Sequence, residues 1–584
     1  MIGEIKINNR TRHTDIKQTG NCDPCEGCGD CDRGRNGFDT PRDAPGNSKS
    51  SLNLRSSWTF FIVLLPTVLL GWYFIRPLLA PPLTPQELRG KEIYFKGISP
   101  GGGKIKAYIG KDRIALPGSA ATCGSCHGSD GRGRPEAGRI PSDVTWDHLM
   151  KPYGHSHPLG RDHPAFTEAS LKRSILNGKD PAGNQLESSM PTYAMSVEDI
   201  NDLIAYLKRL QTDFDPGLEE KSIRIGTLLP AGGKTAAIGQ GMVEVMAAYF
   251  EEINSRGGIY SRKLELIAAP YDTDGPSALA EATRLMDNEN IFAVAGAVIA
   301  GADREMAELA EDKKVPLIGP FTFFSADPDA LNEFTFYLYS GLNEQIRALV
   351  NFAVADLKLD NPRIAVLGRG DAHQKELQTA IAEQSASHGW TSLTGYSFAA
   401  DRLDAAAAVR ALKEKGVDCL FYLSFRGLKS LLEAAEAIDW RPHVFLPGAL
   451  VQKEILGLPA GFQNKIYLAY PTLPSDQTPD GTAEFQALLQ RHQISARHLT
   501  SQITAFVAAE ILVEGLKRTG KDLSREKFMR SLEKLYDFQT GLTPRISYGP
   551  NRRIGALGSH IVTVDLENKN FTPVGQWVAL SDRS

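Results

Sequence analysis

The pentapeptide Cys123-Gly-Ser-Cys126-His127 constrains this chain most, because it places two thiols and an imidazole on a single turn of backbone. C-x-x-C-H is the attachment signature of c-type haem. The chemistry needs this spacing, since the two thiols add to the two vinyl groups of the porphyrin and the adjacent histidine reaches the iron. A redox dithiol beside an unrelated histidine is the alternative for an isolated match. The surrounding sequence has to decide between the two.

A second axial ligand of the iron is expected from a later loop, and Met190 in the segment SSMPTYAMS is the candidate. A thioether opposite an imidazole gives the Met/His iron of cytochromes c, which has a raised potential. Pro191 favours an extended backbone at Met190 and works against a helix there. Met195 is the rival ligand, and simple core filling is the ordinary role of a methionine.

Helical segments flank the motif on both sides. The segment TPQE at 84–87 is a capping box with proline at the first helical position, and it predicts a helix that runs to about Phe95. The segment SVED at 196–199 predicts a second helix, whose apolar residues repeat at helical spacing. Gly90 would allow these two helices to cross closely.

With these elements in place, residues 81–212 resemble the class I c-type cytochromes. The matching segments occur in family order and are GKEIYFKG (90–97), ATCGSCHG (121–128), the SMPTY loop and DINDLIAYLKRL (199–210). The resemblance implies an all-α domain with covalent haem c on Cys123 and Cys126, and with His127 and Met190 as axial ligands of the iron. It also implies that the haem is attached outside the bacterial cytoplasmic membrane.

One stretch departs from that family pattern, an insertion that runs from Pro141 to Pro164. It carries four histidines, which are His148, His155, His157 and His163. Three interpretations stay open at this point: an alternative histidine ligand for the haem, an additional metal site, or a solvated loop.

The stretch from Trp58 to Ile75 contains no charged residue and would extend about 27 Å as a helix, enough to span a bilayer. Trp58 at one end and Trp72 and Tyr73 at the other fit the aromatic belts of a spanning helix. A buried core helix is the alternative. Cleavage as a signal peptide is disfavoured, because prolines follow the small residue Ala80 at once. We therefore expect a retained transmembrane helix over 57–76 in the bacterial inner membrane, with 1–56 cytoplasmic and the rest periplasmic.

The predicted cytoplasmic arm contains a regular cysteine repeat, C-x2-C-x2-C-x2-C, formed by Cys22, Cys25, Cys28 and Cys31. In a reducing compartment, four thiolates this close can hold Zn²⁺ or an iron–sulfur cluster. The spacing is one residue short of the bacterial ferredoxin run at its end. A metal site and a reduced, unstructured tail therefore both remain open, and the rest of the arm has a disordered composition.

After a linker at 213–221, apolar strand-like runs alternate with helical stretches. The strand-like runs are IRIGTLL (223–229), LELIAAPY (264–271), IFAVAG (291–296), VPLIGP (315–320), RIAVLG (363–368) and DCLFYLS (418–424). Strands separated by helices predict parallel sheets with right-handed crossovers. About 360 residues of this pattern suggest two α/β lobes. Cys419, on one of these strands, is expected to be a buried and inert thiol.

Residues 222–577 resemble the type I periplasmic binding proteins, specifically the branched-chain amino-acid-binding family. The segments that carry the match are IRIGTLLP (223–230), FEEINSRGGIYSRKLELIAAPYDTDG (250–275), FAVAGAVIAG (292–301) and VPLIGPFTFF (315–324). The resemblance implies two lobes, joined by three crossing strands, that close on a small molecule.

Ligands of open α/β sheets lie beyond the carboxyl ends of the strands, which selects four cleft loops. The candidate ligand-binding residues on those loops are Ala297, Ala300, Phe321, Thr322, Phe323, His373, Phe425 and Arg426. The loop AVIAG has no hydroxyl and PGAL (447–450) has no acid, unlike family members that bind amino acids. We therefore expect an apolar or aromatic ligand, or an acid that pairs with Arg426, although each Phe has core packing as its alternative.

The charge balance and the missing motifs exclude other classes of function. The 65 Lys and Arg against 69 Asp and Glu give a formal charge of −4, so there is no bulk electrostatic case for nucleic acid. GGKT (232–235) lacks the earlier glycine of a phosphate loop, and neither G-x-S-x-G nor HExxH occurs. We therefore expect that this protein is not an enzyme.

The sequence thus predicts a multidomain membrane protein: an anchor, a cytochrome c domain and a two-lobed binding domain. The first functional hypothesis is electron transfer with a redox partner protein in the periplasm or the membrane. The alternative is a tethered solute receptor for an ABC permease or a signalling complex, with the haem as sensor or accessory. Catalysis at the haem would need an open iron position, which a methionine ligand removes.

Overall fold

A computed structural model describes residues 83–133, 141–157, 160–233, 235–299, 301–325, 332–398, 403–451 and 453–581. The predicted membrane segment, the four cysteines of the amino-terminal arm and Ala300 lie outside these ranges. From Pro85 onward the described residues belong to one compact unit.

Within the described ranges, the helix Leu499–Thr519 is the one that is long and apolar enough to cross a membrane. Of its apolar 18-residue window, 78% is buried inside the protein, which is typical of a core helix in a globular domain. The anchor predicted at 57–76 is a separate segment and stays a prediction.

The first domain contains five helices among its described residues. They are α1 (Pro85–Lys96), α2 (Cys123–His127), α3 (Trp146–Leu149), α4 (Glu168–Asn177) and α5 (Val197–Arg209), with 3₁₀ turns at Gly118–Ala120 and Leu210–Thr212. Both helices predicted from capping boxes are confirmed as α1 and α5. The Ser196 hydroxyl accepts the Asp199 N–H at 3.0 Å, and the Asp199 carboxylate accepts the Ser196 N–H at 3.3 Å.

Helices α1 and α5 cross at Gly90, as the sequence predicts. A Cβ atom at position 90 would lie 2.0 Å from the backbone carbonyl oxygen of Asp202 and 2.7 Å from Cβ of Tyr206. Only a residue without a side chain permits this approach. Beside the crossing, Arg89 donates from Nε to the Asp202 carboxylate at 2.7 Å.

The expectation of an all-α first domain is wrong, because the domain also contains strands. Strands β1 (Lys106–Ile109), β2 (Ile114–Pro117) and β5 (Thr192–Ala194) form an antiparallel sheet in the order β2-β1-β5. Strands β3 (His155–Ser156) and β4 (Asp162–His163) form a separate two-stranded ribbon. Strands of two to four residues are too short to show the alternation by which sequence analysis detects strands.

The second domain has two lobes, and its first lobe is built on a six-stranded parallel sheet. The strands are β6 (Ser222–Pro230), β7 (Lys263–Tyr271), β8 (Ala293–Ala295), β9 (Leu317–Ile318), β10 (Thr335–Tyr339) and β16 (Ile554–Ala556), in the order β16-β10-β9-β8-β6-β7. The helices packed on it are α6 (Ala236–Ser255), α7 (Gly275–Asn288), α8 (Asp303–Lys313), α13 (Pro479–Arg491), α14 (Leu499–Thr519) and α15 (Arg525–Glu533).

The second lobe is built on a seven-stranded mixed sheet. The strands are β11 (Ile364–Gly368), β12 (Leu393–Ser397), β13 (Cys419–Leu423), β14 (His443–Pro447), β15 (Ile466–Tyr470), β17 (Gly558–Asp565) and β18 (Asn570–Ala579), in the order β12-β11-β13-β14-β15-β17-β18. The helices are α9 (Leu342–Ala355), α10 (Ala372–Ser387), α11 (Ala405–Glu414) and α12 (Leu428–Ala437), with 3₁₀ turns at Gly448–Leu450, Lys453–Gly457, Ala460–Phe462 and Pro474–Asp476. The first five strands in this order are parallel, and the last two pairings are antiparallel.

Every strand predicted from the alternating pattern is present in these two sheets. Cys419 begins β13 and is 1% exposed, and burial raises the pKa of its thiol to about 12, as expected for an inert core cysteine. Both faces of the parallel strands are covered, so these strands are continuous apolar runs. Such runs can be recognised in the sequence.

The chain passes between the lobes three times, at residues 340–341, at 471–478 and at Leu557, which agrees with the implied three crossings. The first and third crossings are held together by Ser340, whose hydroxyl accepts the Gly558 N–H at 2.8 Å. The second crossing is held by Asp476, whose carboxylate lies 2.7 Å from Nε2 of His560 on β17.

The predicted linker at 213–221 packs against the first lobe. The Asp215 carboxylate accepts the Arg525 N–H at 2.6 Å. The Arg525 guanidinium in turn donates to the carbonyl oxygens of Ile291 at 2.6 Å and Phe292 at 2.9 Å. The segment between the domains is therefore held in one conformation by the start of α15.

Two further ion pairs join the first domain to the first lobe. Asp130, three residues after the C-x-x-C-H histidine, pairs with Lys527 on α15. Nη2 of Arg132 lies 3.4 Å from the Asp522 carboxylate. Together with Asp215, these contacts attach the first domain to one lobe of the second domain.

Candidate functional site

The two thiols of the motif lie on the short helix α2. The Thr122 hydroxyl caps this helix by accepting the Ser125 N–H at 3.2 Å. Cys123 and Cys126 are not joined by a disulfide. The Cys126 side chain is exposed, whereas burial raises the pKa of the Cys123 thiol to about 12. Neither thiol is therefore taken up by a disulfide bond.

His127 ends this helix and is held in one orientation. Its side chain is 7% exposed, and Nδ1 lies 2.8 Å from the carbonyl oxygen of Ser142. Burial lowers the pKa of the imidazole, so that the neutral ring donates from Nδ1 and keeps the lone pair on Nε2. A ligand histidine whose second nitrogen donates to a backbone carbonyl is the usual arrangement at a metal.

The segment that contains Met190 is tied to the same helix. Met190 is half-buried, and β5 begins two residues later. The Tyr193 hydroxyl donates to the carbonyl oxygen of Ala121 at 2.8 Å. The structure thus brings the SMPTY segment against the attachment helix. Met195, the rival ligand, is half-buried on the same segment.

The residues present fit a covalently attached haem. In addition to the Nε2 lone pair of His127, the hydroxyl oxygen of Thr192 is buried with no hydrogen-bond partner among the described residues. An unsatisfied polar atom two residues after Met190 is what a polar edge of a bound group would satisfy.

Aromatic side chains support the attachment helix from the α1 side. The Tyr94 hydroxyl donates to the carbonyl oxygen of Gly128 at 2.8 Å, and the Tyr94 and Phe95 rings meet edge to face at 5.0 Å. A Cβ atom on Gly124 would lie 3.0 Å from the Phe95 ring, so a side chain at the first variable position of the motif would require that ring to shift. Sequence analysis assigned no role to Tyr94 or Tyr193.

The predicted ligand residues of the two-lobed domain are placed differently from one another. Ala297 is fully buried in the core of the first lobe, so only its backbone could face a ligand. Phe321 is half-buried and packs on the first-lobe core. Phe323 and Phe425 are 45% and 53% exposed, and Arg426 is exposed as well.

Thr322 and His373 come together with a residue that the sequence analysis missed, Asp303 at the start of α8. The Thr322 hydroxyl donates to the Asp303 carboxylate. The His373 ring stacks on Phe324 with centroids 4.6 Å apart, so the two lobes touch here. Burial raises the pKa of the Asp303 carboxyl to about 6.

Asp303 gives the cleft an acid that the sequence analysis sought at 447–450. The acid follows a cleft loop directly, as the first residue of a helix, and that position is the available sequence signal for it. Thr322, Asp303 and His373 are therefore the candidate polar groups of the cleft.

Comparisons with known proteins agree with this architecture. Residues 222–568, or 347 of 584, match the family model described as periplasmic binding protein, and residues 119–211 match the model described as cytochrome c. The cytochrome c domain implies covalent haem c. Neither family match includes the amino-terminal cysteines, so the comparisons do not support zinc or an iron–sulfur cluster there. These cysteines also lie outside the described residues.

Curated relatives match the second domain. The Leu/Ile/Val-binding protein homolog 7 of Brucella abortus is 24% identical over 241 residues, which cover 38% of this chain and 58% of that protein. The chain thus spans little more than half the length of that relative. A Leu/Ile/Val-binding protein of Rhizobium johnstonii is 23% identical over 337 residues, which cover 57% of this chain and 89% of that protein.

A solved structure shares the fold. The fatty acid ABC transporter substrate-binding protein from Thermomonospora curvata superposes with a TM-score of 0.50 at 15% identity, covering 62% of this chain and 94% of that one. The chain belongs to the periplasmic binding protein family, and it carries a cytochrome c domain ahead of the binding domain.

Proposed function

We propose that this protein is a membrane-anchored periplasmic electron carrier that joins a c-type haem and a solute-binding domain in one chain. Cys123 and Cys126 would hold the haem, with His127 and Met190 as its axial ligands. The haem supplies one-electron transfer when bound. A redox protein of the periplasm or the membrane is the partner this function requires.

The observation that carries the proposal is the Tyr193 contact. Its hydroxyl donates to the Ala121 carbonyl oxygen, two residues before Cys123, and Tyr193 stands three residues after Met190. This supports a methionine held opposite His127, because a loop fixed to the attachment helix keeps its ligand in reach. A ligand on both faces of the iron favours electron transfer over catalysis, which needs an open position.

For location, we propose a single membrane span at 57–76 in the bacterial inner membrane, a cytoplasmic arm and two periplasmic domains. The family to which the binding domain belongs supports the periplasmic side. Covalent haem attachment supports the same side, because that chemistry is carried out outside the cytoplasm.

For the ligand, we propose a small apolar or aromatic molecule with one polar end. Phe321, Phe323 and Phe324 are the apolar residues of one candidate cleft loop, and Asp303 and Arg426 would offer a partner for a cationic or an anionic end. The names of the curated relatives mention leucine, isoleucine and valine, which are also small and apolar.

The second candidate is a tethered solute receptor of an ABC importer or a signalling complex, with the haem as sensor or accessory. It is favoured by the match of the binding domain, which covers most of the relative from Rhizobium johnstonii. In that case an ABC permease replaces the redox protein as partner.

One experiment separates the two candidates. The purified full-length holoprotein is screened by thermal shift against branched-chain amino acids, aromatic acids and aromatic amines, and its haem potential is then titrated with and without each hit. An electron carrier shows a reversible positive potential, and a shift on ligand binding would demonstrate coupling between the domains. A haem that does not cycle reversibly, together with a tight ligand, would support the receptor instead.

A further inference from the structure

The histidine-rich insertion of the cytochrome domain is a packed ribbon and not a solvated loop. His155 on β3 lies directly opposite His163 on β4, and His157 follows two residues after His155. Residues two apart on an extended chain point to the same face. The ring centroids of these three histidines lie 5.1, 5.2 and 6.4 Å apart.

Two of the three rings already present nitrogen atoms to one point. Nε2 of His157 and Nε2 of His163 are 3.1 Å apart. Two nitrogen ligands of a tetrahedral ion, each about 2.1 Å from the metal, lie roughly 3.4 Å apart. His163 is 6% exposed, and its Nδ1 donates to the Pro164 carbonyl at 2.8 Å, which keeps the lone pair on Nε2.

The third ring has an unused nitrogen. Nε2 of His155 is buried without a hydrogen-bond partner in the described part of the chain. A buried polar nitrogen without a partner is what a bound ion would satisfy.

The ribbon is held by contacts outside the histidine cluster. Nη1 of Arg161, in the turn, lies 3.0 Å from the carboxylate of Asp180, which is fully buried. The Asn184 amide donates to the carbonyl oxygen of Asp162 at 3.1 Å. A backbone fixed in this way holds the rings close together before any ion arrives.

We propose that His155, His157 and His163 form a binding site for a divalent transition-metal ion of the Zn²⁺ or Cu²⁺ type, separate from the haem site. All-imidazole ligands suit these ions. As the rings now stand, no three His, Cys, Asp or Glu donors among the described residues are placed to hold a metal. Binding therefore requires the His155 ring to turn towards the pair and His157 to move its proton from Nε2 to Nδ1.

The test uses the full-length holoprotein, stripped with EDTA and titrated with Zn²⁺ by calorimetry, with metal content measured after desalting. The variants are His157→Gln and the double variant His157→Gln/His163→Gln. The matched control is His388→Gln, an exposed histidine of the binding domain that pairs with Asn351. Any zinc held by the amino-terminal cysteines is common to all four proteins and cancels in the difference.

We expect wild type to bind one more Zn²⁺ per chain than the double variant. His157→Gln should weaken that ion by at least about tenfold, the lower end of the loss for a missing outer-shell partner. His388→Gln should behave as wild type. Equal stoichiometry and affinity in wild type and both cluster variants would overturn the proposal.

A haem absorption spectrum recorded for each metal-free variant tests whether the domain is folded and whether a cluster histidine binds the haem iron. An unchanged spectrum shows that the domain is folded. A spectrum altered only by loss of a cluster histidine would make that histidine a haem ligand and would also overturn the proposal. If the double variant does not fold, His157→Gln alone decides, since its ring is only half-buried.

Discussion

The haem site and the ligand cleft are built in opposite ways. Three of the four proposed haem-binding residues lie on one short helix, His127 is 7% exposed, and its contact with the Ser142 carbonyl lies within the same domain. The cleft is assembled from loops of two lobes, and several of its predicted residues are exposed, with Phe425 at 53%. A site formed by residues at a fixed spacing in one short segment can be predicted from the sequence. A site assembled from loops of two lobes cannot be predicted in this way.

The largest effect should come from removing the thiols. The variant Cys123→Ala/Cys126→Ala should lose all covalent haem, because no other described cysteine is near His127 and Cys419 lies in the core of the second lobe. Extraction with acidic acetone, followed by absorbance of the protein pellet, measures it. Cys419→Ala is the control and should retain its pigment. If the double variant retained pigment after acid extraction, the haem would not be attached through Cys123 and Cys126, and the prediction would be wrong.

The next effect tests how tightly the haem domain is packed. Gly90→Ala should destabilise that domain by about 3 kcal/mol, because the new Cβ would meet the Asp202 carbonyl at 2.0 Å. The helix preference for alanine, about 1 kcal/mol, offsets only part of this loss. Denaturant unfolding followed by haem absorbance gives the value. Gly101→Ala, where the nearest atom is 3.8 Å away, should be near neutral. Equal stability of the two variants would contradict the close crossing.

The cleft should show a pH effect on stability that comes from Asp303. Because the pKa of Asp303 is raised to about 6 in the folded protein, its stabilising contribution is complete below about pH 4 and is lost as pH rises through about 6. The loss should be on the order of 2 kcal/mol after solvent screening is allowed for. Unfolding of the binding domain at pH 4.5 and 7 measures it.

Asp303→Asn should flatten this part of the pH profile and stabilise the domain at pH 7. Asp312→Asn, on the exposed far end of the same helix, serves as the control and should leave the profile unchanged. The Asp303 account fails if both variants keep the wild-type slope.

The smallest effect concerns the contact between the domains. Asp130 and Lys527 form a partly exposed ion pair, and such pairs contribute about 1 kcal/mol or less. A double-mutant cycle of Asp130→Asn and Lys527→Ala, read by unfolding of both domains, should give a coupling in that range that falls with added salt. A coupling well above 2 kcal/mol would contradict the assignment of this contact as a solvent-screened surface pair.

Much of the fold followed from local patterns in the sequence. The capping box at 196–199 predicts the start of α5, Gly90 predicts the helix crossing, and the apolar runs predict the parallel strands. Each of these features is determined by residues close in the chain or by a steric requirement at a single position. Such features can be predicted from a single sequence.

What sequence analysis missed depends on distant residues. Asp303 reaches the cleft only because β9 and α8 place it beside Thr322, and His373 arrives from the other lobe. The ribbon β3–β4 has two residues in each strand, too few to show a period. In both cases the partner in space, and not the local pattern, defines the structure.

The most direct test of the central claim, an iron held by His127 and Met190, is exposure of the reduced full-length holoprotein to carbon monoxide. The ligands we propose leave no open iron position, so wild type and Met195→Ala should form no adduct, whereas Met190→Ala should bind the gas and lose its positive potential. Rapid carbon monoxide binding by wild type would contradict the account.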